Sequence, residues 1–426
     1  MLPIPKIDGQ CAPLIENAGG CKIYKVKGVI FFIIFIMMDE EVEKELKKYS
    51  IVEKVSAEEM RKFMGNGEII FIDKNQNWAE TFISSAIVIN APVQRVWDAV
   101  TDFHSYSQYM PLVSNSQERK ISENLIDTSF RLTFKVAIIP FSIDFSLLHR
   151  LYPYEDITWT LSRDDEDLSI DYGKWEFFPL DDNKRTLAIY SVFTKAKSSF
   201  LMKIIEREPI LDLGFDIALS SAVPKVVKER VEGREWREME VSQKMKLEKL
   251  KNFFERGNVV LVTTSKPLNW YSSFVIFDAP VQRVWDVVTD YKNYNRFVPM
   301  VRSVKVKDMK DGSAVLTYEI DFNFIIFKKK TRYSVKQEFS QFREIKWDYH
   351  EGEIKGVKGE WNFYEIDGNK TLGVYSWTSD LRSTGFIFKL LLKSFPILED
   401  SIQAAIGAAF TEAVKEEVQR RKEFLH

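Results

Sequence analysis

The side chains best suited to chemistry come in a duplicated set. Asp98 and Asp102 lie one helical turn apart in APVQRVWDAVTD (residues 91–102), and Asp286 and Asp290 repeat them in APVQRVWDVVTD (residues 279–290). Two carboxylates at i and i+4 share one helix face and could act as an acid–base pair. On the polar side of a short helix, the same spacing also describes solvated or capping groups. The four histidines, His104, His149, His350 and His426, do not recur at matched positions, and Lys292 stands where the first copy has His104. No His-x-x-x-His spacing occurs that would aim two imidazoles at one metal ion. Cys11 and Cys21 are the only cysteines, so no disulfide framework or thiolate metal site can form beyond residue 21. Gly65-Asn66-Gly67 lacks the third glycine of a dinucleotide loop, and neither a Gly-x-Ser-x-Gly elbow nor a phosphate-binding loop is present. The expectation is no catalytic residue, no metal and no cofactor.

The element that carries the carboxylates has a simpler reading. Val93, Val96, Trp97 and Val100 fall at i, i+3, i+4 and i+7, and Val281, Val284, Trp285 and Val288 repeat them, which makes one apolar helical stripe. Asn90 or Asp278 would cap the helix, with Pro92 or Pro280 in its first turn. The motif is therefore scaffold, a short helix pressed onto an apolar surface.

The duplication extends well beyond twelve residues. Upstream, a short amphipathic helix opened by the capping-box pair Ser56 and Glu59, a glycine (Gly67 or Gly257), a strand-like run and Asn-Trp (77–78 or 269–270) occur in both copies. Downstream, GKWEFFPLDDNKRTLAIYS (173–191) answers to GEWNFYEIDGNKTLGVYS (359–376), and Pro209-Ile210-Leu211 answers to Pro396-Ile397-Leu398. The expected domains are 55–234 and 248–426, each of single-domain size, joined by a charged helical segment at 235–247 and preceded by an extension at 1–54.

Period two takes over after each short helix. Phe130, Leu132 and Phe134 alternate with Arg131, Thr133 and Lys135, and Tyr318, Ile320, Phe322 and Phe324 alternate with Glu319, Asp321 and Asn323. Such strands have one buried and one wet face. Further strand-like runs follow at 142–151, 156–162, 168–178 and 186–194, and at 330–338, 343–349, 354–364 and 371–378. Each unit closes with a helical segment, 198–232 or 387–424. The order strand, short helices, about six strands, long helix predicts an α+β fold in which a twisted antiparallel sheet is covered by the terminal helix.

These residues resemble a family. APVQRVWD-x-VTD, then Tyr106 and Pro111 (Tyr294, Phe297 and Pro299 in the second copy), then Gly-x-Trp-x-Phe and Thr-Leu-x-x-Tyr-Ser, are similar to the START-type polyketide cyclase/dehydrase and lipid-transport superfamily, with the coenzyme Q-binding START-domain branch nearest. The resemblance covers nearly everything after residue 55. It implies two tandem helix-grip domains, each a curved seven-stranded antiparallel sheet around a long C-terminal helix. It also implies an apolar cavity between sheet and helix that binds or carries a lipid, quinone or polyketide-like molecule. The cavity-lining candidates are then Phe130, Leu132, Phe134, Trp159, Trp175, Phe177 and Tyr190 in the first unit. In the second they are Tyr318, Ile320, Phe322, Trp347, Trp361, Phe363 and Tyr375. Close-packed core is the competing reading of the same aromatics. A cyclase or dehydratase is the alternative function, with Tyr109, Arg131 and Asp102 as its first residues to test.

Composition agrees with an apolar partner. Aromatics make up 14% of the chain, and 60 basic side chains balance 62 acidic ones, so no nucleic acid is expected as a partner. Hairpin tips at 136–145 and 322–330, and FIFKLLLKSFPIL (386–398) with Lys389 and Lys393, combine apolar groups with lysine; a lid packed on its own pocket is the simpler reading of them, and peripheral membrane contact is the other. The apolar run 28–38 is too short to span a bilayer, which takes ~20 residues. A start at Met37 or Met38, an N-terminal anchor and an export signal all fit it; otherwise the chain reads as cytoplasmic.

Overall fold

A computed structural model of the chain describes residues 49–52, 55–65, 67–73, 82–110, 112–136, 139–162, 167–196, 209–233, 250–310, 312–324, 327–385 and 397–423, together with Leu46, Lys389 and Leu392. The apolar run 28–38, Asn66, Trp78, the join at 235–247 and Lys393 lie outside the described residues. The chain divides into a unit of residues 1–50 and a unit of residues 51–426, and both repeats lie in the second.

The first repeat begins with helix α1 (Ala57–Met64) and strands β1 (Glu68–Asp73) and β2 (Phe82–Ile89). Helix α2 (Val93–Thr101) and one-turn α3 (Tyr106–Tyr109) follow. Strands β3 (Val113–Ser122), β4 (Leu125–Val136), β5 (Ile139–Tyr152), β6 (Asp156–Leu161), β7 (Leu168–Leu180) and β8 (Arg185–Ala196) lead to long helix α4 (Pro209–Glu232). The second repeat has the same order: α5 (Lys251–Arg256), β9 (Gly257–Thr263), β10 (Trp270–Phe277), α6 (Val281–Val288) and α7 (Tyr294–Phe297). It continues with β11 (Val301–Lys310), β12 (Ser313–Phe324), β13 (Phe327–Ser340), β14 (Glu344–Gly352), β15 (Lys355–Asp367), β16 (Lys370–Asp380) and α8 (Ile397–Glu423).

The expected capping box at α1 is present in full, with Ser56 accepting from the Glu59 amide and Glu59 reaching back. Two expectations need correction. Among the described residues each repeat has eight strands rather than seven. The unanticipated strands are β2 (FISSAIVI), whose residues are all buried, and β10 (WYSSFVIF), buried except at half-buried Trp270 and Ser272, so a sustained period-two signal of a half-wet strand is absent. The caps of the duplicated helices also differ. Pro92 and Pro280 are the N-cap residues, in extended conformation and with no side-chain cap bond. Asn90 instead donates through Nδ2 to Glu232 of α4 at 3.1 Å, and the first free amide of α2, at Val93, donates to Asn183 Oδ1 at 3.0 Å. A tertiary partner thus does what a local cap was expected to do.

The sixteen strands among the described residues form one antiparallel sheet, ordered β3-β4-β5-β6-β7-β8-β2-β1-β9-β10-β16-β15-β14-β13-β12-β11. The repeats join edge to edge through β1 and β9, where Ile70 pairs with Val260. These two residues occupy equivalent places in GEII (67–70) and GNVV (257–260), so a local two-fold axis runs through the pair. The join removes what would be an exposed edge strand from each repeat. The long helices α4 and α8 pack on each other and cover strands from the middle of the sheet.

Candidate functional site

The inner face of each repeat is an aromatic wall, and strand register builds it. In the first repeat β6 and β7 set Trp159 opposite Gly173, while β7 and β8 set Trp175 opposite Tyr190. Gly173 has to be glycine, because a Cβ there would lie 2.2 Å from the Trp159 ring and 2.4 Å from the Ser191 carbonyl. The Gly-x-Trp signature is thus a seat for the neighbouring indole. From there the rings run on without a break. Trp159 stacks on Tyr190 at 5.1 Å, Tyr190 meets Trp175 at 4.9 Å, and Trp175 stacks on Phe177 at 5.7 Å. Farther along the sheet Phe130 stacks on Tyr106 at 5.7 Å and meets Phe145 at 5.5 Å. Trp97 of α2 closes the far end against Phe177 at 5.7 Å, which gives the duplicated motif its scaffold role.

Two titratable groups are set into this wall. Asp171 is buried and accepts from Trp159 Nε1 at 2.8 Å and from the Thr194 hydroxyl at 2.9 Å. Burial pushes its carboxyl up to about 6, outweighing those two bonds. His149 is buried against Phe103, with ring centroids 4.3 Å apart, and burial lowers its pKa to about 3. Its Nε2 lies 3.0 Å from the Thr128 hydroxyl, and its Nδ1 has no hydrogen-bond partner.

The second repeat keeps the frame and changes the filling. Trp347 sits over Gly359, Trp361 pairs with Tyr375 across β15 and β16, and Trp285 meets Phe363 at 5.9 Å. At the place of His149 stands Gln337, which accepts from the Tyr291 hydroxyl at 2.7 Å, and at the place of Asp171 stands Val357. Phe410 of α8 drops onto Tyr375 at 4.8 Å, and Trp377 lies against the backbone of α8 at Gly407.

Of the cavity-lining candidates, Phe130, Trp159, Trp175, Phe177, Trp347, Trp361 and Phe363 are buried, while Leu132, Tyr190, Tyr318, Ile320 and Tyr375 are partly so. The side chains of Phe134 and Phe322 lie outside the described residues. The duplicated carboxylates do not form a working pair. Asp98 and Asp286 are exposed, and Asp290 is held by Asn293 and by Arg421 of α8. Arg131 is exposed in a bidentate pair with Asp144, and the Tyr109 hydroxyl donates to the Ala99 carbonyl at 2.7 Å. His149 and Asp171 had no sequence signal, since neither recurs in the other copy. Among the described residues no three His, Cys, Asp or Glu side chains gather as they would around a metal ion, and no helix is long and apolar enough to cross a membrane.

The family described as polyketide cyclase / dehydrase and lipid transport matches this chain twice, over residues 89–214 and 277–395, which is more than half of it. The chain belongs to that family. Binding of a hydrophobic small molecule is the function that membership in the polyketide cyclase/dehydrase and lipid-transport family supports. Among solved structures, the Zhui aromatase/cyclase from Streptomyces sp. R1128 is 19% identical over 36% of this chain and 95% of its own, with a TM-score of 0.31. The di-domain ARO/CYC BexL of the BE-7585A biosynthetic pathway is 13% identical over 78% of this chain and 98% of its own, with a TM-score of 0.27. A STAR-related lipid transfer protein from Xanthomonas axonopodis is 16% identical over 37% of this chain and 93% of its own, with a TM-score of 0.26. No curated protein matches the sequence at a significant level.

Proposed function

We propose that this family member carries a hydrophobic small molecule, a lipid, quinone or polyketide-like compound, and releases it chemically unchanged. The observation that carries the reading is the unbroken aromatic wall that runs from Phe130 through Tyr106, Phe103, His149 and Trp159 to Phe177, offering shape and apolar area. Two of the three residues weighed for a cyclase are engaged elsewhere, Arg131 with Asp144 and Tyr109 with Ala99. The carrying bodies are taken as residues 55–234 and 248–426. Loading would occur at a membrane surface on the cytoplasmic side, through the lysine-edged hairpin at Lys329 and Lys330 and through Lys389. Nucleic acid has no part in this reading.

The test is extraction of the purified protein with organic solvent followed by mass spectrometry. A lipid, quinone or polyketide-like compound recovered in stoichiometric amount is the expected result. An empty extract, together with no binding of fluorescent apolar probes, would overturn it. The cyclase/dehydratase alternative draws on Asp171 and His149, two titratable groups set into an apolar wall, the first held toward its protonated form and the second toward its neutral form by burial. It predicts that Asp171→Asn changes the product made from a poly-β-keto substrate.

A further inference from the structure

The two repeats are not equally able to hold a guest. The helices α4 and α8 align without a gap from Pro209 and Pro396, and β8 aligns with β16 from Thr186 and Thr371, so every position has a counterpart. Trp377 corresponds to Val192, Gly407 to Ser220, Phe410 to Val223 and Gln403 to Asp216. In the second repeat these four residues interlock. A methyl group on Gly407 would lie 1.6 Å from the Trp377 ring, so indole and helix backbone are in direct contact. Trp377 Nε1 donates to Gln403 Oε1 at 3.1 Å. Phe410 packs on Tyr375 at 4.8 Å, on Tyr294 at 5.9 Å and on Trp361 at 6.1 Å.

In the first repeat three of these four places hold smaller side chains, Val192, Asp216 and Val223, and Ser220 stands in place of Gly407. Where Trp377 and Gln403 meet in the second copy, a small cleft lies between β8 and α4, lined by Ile83, Val192, Phe193, Thr194, Asp216 and Leu219. Val223 replaces the ring of Phe410 with two methyl groups. Polar satisfaction differs in the same direction. Gln337 has the Tyr291 hydroxyl, whereas His149 stacks on Phe103, which has no hydroxyl, and its buried Nδ1 lacks a partner. A buried nitrogen without a partner costs free energy until a ligand or water meets it.

We propose that the first repeat alone holds the guest, an apolar molecule with one hydrogen-bonding head, and that the second repeat is closed by its own Trp377 and Phe410. This rests on the hydrophobic-carrier reading and assigns it to one half of the chain. The experiment uses the full-length wild-type protein and a palmitate carrying a diazirine in its chain. Native mass spectrometry should find one probe per chain, and after illumination the labelled peptides should come from residues 113–233. Val223→Phe should weaken probe binding at least tenfold, and Trp377→Val should leave the high-affinity site unchanged. Two probes per chain, or label confined to residues 301–423, would overturn the assignment while leaving the carrier reading intact. No probe bound at all would overturn the assignment of this guest to the first repeat, and the solvent extraction then decides the carrier reading. The labelling arm needs no substitution, so a misfolded variant does not decide the outcome.

Discussion

At the scale of single residues, the informative pair is His149 and Asp171, because burial moves their pKa values in opposite directions. The unfolded chain protonates His149 near 6.5, but the folded protein does so only near 3. Between these values the unfolded state binds the extra proton, so stability from this group is lost as pH falls. For Asp171 the folded value is about 6 against 3.8 in the unfolded chain, so here the folded state binds the extra proton between those values. Its contribution is lost as pH rises through that window. Each slope is about 1.4 kcal/mol per pH unit, and between pH 4 and 6 the two nearly cancel. Replacing the first pair by its second-repeat counterpart, Phe103→Tyr with His149→Gln, should remove one slope and leave the other. Urea unfolding at pH 6 and pH 4 should show the variant gaining about 2–3 kcal/mol on the parent over that interval. A constant difference between the two proteins would contradict the burial argument. Neither residue could be found by looking for repeats, since both are peculiar to one copy.

Among the elements, the strand pairs that seat the indoles matter most. Gly173 and Gly359 are read from the duplicated Gly-x-Trp, but their reason emerges only when β6 and β14 bring Trp159 and Trp347 over them. Gly173→Ala or Gly359→Ala forces a methyl group into an indole and a strand carbonyl, and overpacking of this kind costs about 1–3 kcal/mol. Thermal unfolding should show a clear loss for either substitution. Gly214→Ala is the control, since its Cβ would meet only Ala405 at an ordinary 3.5 Å. The duplicated helix α2 was legible as scaffold because its four apolar residues share one face, and all four are buried. Its cap was not legible, because Asn183 arrives from the β7–β8 turn, 90 residues away in sequence. β2 was missed for a related reason: with both faces buried, its composition has no alternation to detect.

At the scale of the whole pair of repeats, the continuous sheet is reinforced by a partly buried charge cluster. Lys225 of α4 lies 2.8 Å from Glu68 of β1 and 3.4 Å from Asp400 of α8. Asp400 also accepts from Tyr271 at 2.6 Å and from Asn269 at 2.9 Å. Burial works to lower the Lys225 pKa, but the two carboxylates outweigh it and hold the ammonium above its ordinary value. Lys225→Met would leave Glu68 and Asp400 without their shared counter-charge, at a cost of about 3 kcal/mol. Because the cluster ties α4 and β1 to α8, calorimetry should show both repeats losing stability, not the first alone. A chain nicked between residues 234 and 249 should stay associated in gel filtration, since β1 and β9 would otherwise expose their edges. Fragments that separate in native buffer would refute that dependence.

Periodicity, the duplicated motifs and the aromatic spacing sufficed for two copies of one α+β plan, for the scaffold role of the twelve-residue motif and for aromatics that the strands bury. These are local or repeated signals, and one chain displays them directly. The tertiary structure alone decided the edge-to-edge joining of the repeats, the extra strand in each and the unequal filling of the two interiors. Each of those depends on which groups meet from distant parts of the chain, as Ile70 and Val260, Trp377 and Gly407, or Phe103 and His149 do. A pattern read along the chain has no record of such meetings, because packing is settled by volume and hydrogen bonding in three dimensions.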